Sequence, residues 1–140
     1  SMPSRLFRLV EVATTGSGFH VVFAPEDGPG GTLANALHHA DYAPDGSVVF
    51  EADWTGERIW RLPGDSTTPQ VLGDFANDNS PCVLDDGRVA SLWLGRPAND
   101  DGFHELKIMD ADGANERMLV SNEPGESSVD LSDVGLGCGG

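Results

Sequence analysis

The sequence is short of positive charge. Asp and Glu number 23 against 8 Lys and Arg, a net charge of −15, and Lys107 is the single lysine. A nucleic acid or an anionic membrane surface would need a basic face to neutralise its phosphates, so the composition argues against both as partners. The acidity reads first as solubility or a salt-rich setting, and only second as an acidic docking surface. No run of 18 apolar residues and no apolar leader core occurs, so neither a membrane span nor a signal peptide is expected. The compartment stays open, and would be extracytoplasmic if a leader has been removed. Ser1 ahead of Met2 reads as an added residue and takes no part in the fold reasoning. There are 2 cysteines, Cys82 and Cys138, enough for one bridge in an oxidising compartment. The spacing gives that bridge no geometric support, and Cys82, entering a strand, is read as a small buried residue. Helical periodicity is nearly absent: only residues 32–39 invite a helical turn.

What the chain does have is turns and a repeat. With 18 glycines and 9 prolines in 140 residues, the composition is that of one turn-rich all-β domain. Residues 41–50 (DYAPDGSVVF) align with 82–91 (CVLDDGRVAS), 59–65 (IWRLPGD) with 106–112 (LKIMDAD), and 68–72 (TPQVL) with 115–119 (NERML). A period of 40 to 45 residues made of short strands is the length of a propeller blade. Within each copy, Asp45-Gly46 and Asp86-Gly87 mark a tight hairpin turn. Strands are expected at 48–52, 58–62 and 70–72 in the first copy and at 89–94, 105–110 and 117–120 in the second. The runs Val48-Val49-Phe50 and Leu92-Trp93-Leu94 lack polar alternation, so both faces of those strands should be covered.

Outside the repeats, residues 5–13 and 19–24 read as two more strands, joined by the turn at 14–18. Residues 25–31 form a Gly/Pro loop. The expected inventory is a half blade at 4–24, blade repeats at 38–73 and 79–121, and a closing strand with a flexible tail at 125–140. The Pro44-Asp45-Gly46 turn, the strand ending Ile108-Met109-Asp110-Ala111-Asp112-Gly113 and the short Arg117-Met118-Leu119 strand resemble the TolB-type propeller repeat over residues 38–122. Ala43 and Leu84 stand where that repeat usually has tryptophan, and Asp85 stands where the first copy has Pro44. The resemblance implies antiparallel four-stranded blades in a family whose blades mostly bind proteins or flank a catalytic domain. It transfers no catalytic residues.

In a four-stranded meander the tight turns gather at one end and the longer loops at the other. The long-loop end is where binding residues tend to sit on a rigid scaffold. That end should present His38, His39, Trp54, Asn77, Asp78, Asn79, Arg96, Asn99, Asp100, Asp101 and His104. A metal site built on His38, His39 and His104 is disfavoured, because adjacent residues of a strand point to opposite faces. Trp93, in mid-strand, reads as core, whereas Trp54 at a strand end reads equally as core or as a contact aromatic. The stretch from Asp110 to Gly113 opens like a calcium loop, but Ala114 and Ser121 fall at ligand positions, so it is read as a hairpin turn. No Gly-x-Ser-x-Gly elbow is present.

The expectation is therefore a non-catalytic all-β propeller segment that binds protein, with no cofactor and no metal. The alternatives are the propeller part of a peptidase- or lyase-associated enzyme, and a module for small ligands or sugars. An unclosed blade inventory also predicts that the ring is completed by oligomerisation, as a homodimer or, failing that, a trimer.

Overall fold

The structure is a computed structural model that describes residues 9–23, 37–74, 78–94 and 104–120. Ten strands lie there: β1 (Leu9–Glu11), β2 (His20–Phe23), β3 (Leu37–Tyr42), β4 (Val48–Ala52), β5 (Arg58–Leu62), β6 (Gln70–Leu72), β7 (Asp78–Val83), β8 (Val89–Leu94), β9 (His104–Met109) and β10 (Arg117–Val120). No helix occurs among the described residues. Three antiparallel sheets result: a β1–β2 ribbon and two four-stranded meanders, β3-β4-β5-β6 (blade 1) and β7-β8-β9-β10 (blade 2). The all-β class and the four-stranded antiparallel sheets are those expected from the repeat.

One turn design closes four hairpins. Ala43, Leu84, Asp110 and Ala13 each donate N–H to the carbonyl four residues on, and accept from the N–H of Gly46, Gly87, Gly113 and Gly16. Each of these glycines has φ between 79° and 86°. That is a type I turn with a left-handed closing residue rather than a two-residue primed turn, because Asp45 and Asp86 keep negative φ. Asp45, Asp86 and Asp112 each accept the N–H two residues later, which pre-sets the turn. The Ser47 hydroxyl and then its N–H hold the Asp45 carboxyl below the usual carboxylate range, and the Arg88 N–H and then its guanidinium do the same for Asp86.

Packing follows from strand alternation. All five residues of β4 are buried. One face of blade 1 sets Val48, Phe50, Trp60 and Leu62 in a cluster with Leu37, Ala52 and Trp54, and Val22 of the ribbon packs on it. The other face sets Val49, Ile59 and Leu72 against Val89, Met109 and Val83 of blade 2. The stack therefore runs ribbon, blade 1, blade 2.

Three expectations change. The helical turn expected at 32–39 gives way at Leu37, where β3 begins; Leu37 is drawn into the core and its backbone pairs with Ala52. The strand that Cys82 was expected to enter begins four residues earlier, at Asp78, where β7 pairs with Trp93. Cys82 is buried as expected but disulfide-bonded, and Cys138 is the one other cysteine of the sequence. The segments at 5–8, 25–31 and 125–140 lie outside the described residues.

Candidate interaction surfaces

The long-loop end divides the residues assigned to it. Trp54 is not a contact aromatic: it is buried, edge-on to Phe50 at 5.9 Å and to Trp60 at 4.9 Å between ring centroids. Nor is Asp78 a loop-end binding residue. Its side chain is fully buried, ion-paired with the Lys107 ammonium and accepting from the Ser91 hydroxyl at 3.3 Å. Lys107, also fully buried, pairs in addition with Glu116. His38, Asn79 and His104 are placed by their backbones in β3, β7 and β9. Asn77, Arg96, Asn99, Asp100 and Asp101 lie outside the described residues. Trp93, read as core, is half-buried.

His39 is exposed, and its partner Glu51 joins the two blades. His39 has φ 47°, and Ser80, forty-one residues on in the second copy, has φ 50°. Both fall where the first strand of a blade loses register with its neighbour, between His38 and Asp41 and between Asn79 and Cys82. A left-handed residue inside a strand is how a bulge bends it. The buried Glu51 carboxylate accepts from His39 Nδ1–H at 2.9 Å and from the Ser80 N–H at 3.1 Å, so one acid pins both bulges.

Lys107 and Glu116, which form a buried triad with Asp78, were not among the sequence candidates. Lys107 sits in β9 on the face of Met109, turned toward blade 1, and its ammonium draws in Asp78 from β7 and Glu116 from the turn before β10. Through them it reaches blade 1: Asp78 N–H donates to the Glu57 carbonyl at 3.2 Å, and Glu116 accepts from the Asp74 N–H at 3.1 Å. Burial pushes the Asp78 carboxyl up to about 6, against the pull of Lys107 and with help from the Glu116 charge. The sequence signal was a lone lysine inside the apolar run Leu106 to Met109.

At the tight-turn end Arg61 does similar work. Its guanidinium donates to Ser47 Oγ and, across the interface, to the Ala111 carbonyl, both at 2.8 Å, and pairs with Asp45. These side chains are consumed in holding the blades together.

A different surface is open. Val10 pairs with Val21 across the ribbon, and Val12 and Phe19 follow at the next same-face position. These four are 44, 45, 49 and 67 % exposed, in the order Val10, Val21, Val12, Phe19, and lie on the face opposite Val22. The Val22 face instead carries Glu11 and His20, 3.6 Å apart. Glu11 also takes the hydrogen bond of the Tyr42 hydroxyl, which holds that phenol above its ordinary value. The ribbon is thereby fastened to blade 1 by one face and bare on the other. A contiguous apolar stripe is left exposed on an acidic chain.

No protein-family model matches the sequence, and no curated protein does. Among solved structures, the chain is similar to a putative TolB from Agrobacterium tumefaciens, at 21% identity and a TM-score of 0.63 over 80% of this chain. The match spans 40% of that structure's length. No helix among the described residues is long and apolar enough to cross a membrane. With its stacked, open, antiparallel four-stranded sheets, the chain has a TolB-like β-propeller fold.

Proposed function

We propose that the chain is a non-catalytic β-propeller segment acting as a protein-interaction scaffold, and that its docking surface is the apolar face of the β1–β2 ribbon rather than the charged residues of the blades. The observation that carries this reading is the exposed stripe Val10, Val12, Phe19 and Val21, which no described sheet covers. Supporting it, the polar side chains that could have served chemistry are used structurally: Lys107 is ion-paired with both Asp78 and Glu116, and Glu51 is occupied by two donors. An apolar stripe buries area without demanding a fixed hydrogen-bond pattern, which suits a partner that is itself a protein surface. Association with its own copies belongs to this same reading.

The test uses the whole chain immobilised on a support. Phe19→Asp with Val12→Asp should abolish recovery of bound protein, while His39→Ala at the other surface should leave it intact. Retention in the ribbon variant with loss in His39→Ala would move the docking surface to the long-loop end.

A further inference from the structure

The ribbon stands apart from the rest of the chain in charge. Across residues 9–23 the only ionisable side chains are Glu11 and His20, in a molecule of net charge −15, and both lie on the Val22 face. The exposed face is formed by Val10, Val12, Phe19 and Val21, with the uncharged hairpin Ala13 to Gly18 beyond it. Resting on the scaffold reading, we propose that the occupant of this stripe is a second copy of the chain, which lays its own stripe on it, ribbon to ribbon, about a twofold axis.

Charge decides which partner fits. Two molecules of net charge −15 repel one another at most approaches, and the ribbon is a described stretch where they can meet without bringing carboxylates together. A basic partner would be drawn to the acidic surfaces instead. Symmetry supports the same occupant: in a twofold contact one patch serves both sides, so an all-apolar stripe is complementary to itself. The chemistry is already used inside the chain, where Val49, Ile59 and Leu72 of one sheet meet Val89 and Met109 of the next. The ribbon's outer face continues that stack by one more layer, since Val22 on its inner face already packs on blade 1. Size sets the strength. Four partly exposed side chains fall well short of the roughly 800 Å² per partner of a standard interface, so the dimer is weak and concentration-dependent. Salt strengthens it, because screening removes repulsion and leaves apolar contact.

Sedimentation equilibrium of the full chain over a wide concentration range, at low and at high sodium chloride, tests this. The mass should climb from 14.8 kDa toward twice that value, at lower protein concentration in high salt. Val21→Asp should weaken the dimer on the order of tenfold or more, and Phe19→Asp likewise, with near-ultraviolet dichroism showing that both remain folded. A single 14.8 kDa species at all concentrations and both salts would overturn the proposal. So would a dimer unmoved by both substitutions, or one that salt dissolves. If the chain is monomeric yet captures some other protein through an intact stripe, the second-copy assignment fails while the scaffold reading stands. If it is monomeric and captures nothing, both fall.

Discussion

Replacing Lys107 by methionine tests the electrostatics of the blade interface most directly. Lys107 and Asp78 are fully buried, Glu116 nearly so, and the three carry a formal charge of −1. Methionine keeps most of the volume and removes the cation, leaving two carboxylates facing each other out of water. Breaking a buried pair in this way costs about 3–5 kcal/mol at neutral pH. Asp78→Asn breaks the same contact from the other side, yet leaves a neutral Lys107–Glu116 pair. It should therefore stay within about 1 kcal/mol of the parent. The pH dependence separates the two variants further. The Asp78 carboxyl is raised from 3.8 to about 6, so the folded chain binds this proton more tightly than the unfolded chain does. Its ionisation therefore costs stability above pH 6, by about 3 kcal/mol at neutrality, and that loss is recovered as the pH falls from 6 toward 3.8. Urea unfolding midpoints should rise on mild acidification for the parent and rise more for Lys107→Met. Asp78→Asn should lack this component, and subtracting its profile removes the general relief of repulsion among the other acids. The reasoning fails if Lys107→Met unfolds at the parent's midpoint at pH 7, or if the parent and Asp78→Asn have parallel profiles.

Other expected outcomes follow from the same structure. Gly46→Val and Gly87→Val, at φ 81° and 85°, should each lower stability by more than about 1 kcal/mol in chemical unfolding. Gly113→Ala should cost more than Gly16→Ala, because its Cβ would stand 2.6 Å from the Gly73 nitrogen whereas that of Gly16 meets open space. Trp54→Ala removes the ring that bridges Phe50 and Trp60 and should cost about 3–5 kcal/mol, visible as a lowered Tm. Reduction of the Cys82 disulfide, which closes a loop of nearly 60 residues if Cys138 is its partner, should lower unfolding stability by about 4 kcal/mol; equal midpoints with and without reductant would remove that pairing.

The sequence by itself determined the class and the local grammar. Asp-Gly turns, a period near forty residues and short apolar runs specify antiparallel hairpins, because a left-handed glycine and alternating side chains act within a few residues of chain. Val48 to Phe50 read correctly as a strand covered on both faces, since no polar residue interrupts it. What only the tertiary structure decided is which residues meet across the sheets. Trp54 at a strand end could point either way until Phe50 and Trp60 enclosed it. Asp78 looked like a loop acid beside Asn77 and Asn79, and became a buried counter-ion because Lys107, twenty-nine residues later, arrives on the same inter-blade face. Residues 5–13 read only as a strand; that Val10 and Val12 stand on an exposed face was decided by which side of the ribbon packs on blade 1. Strand period fixes which side chains share a face; only the order in which sheets stack fixes which face is covered.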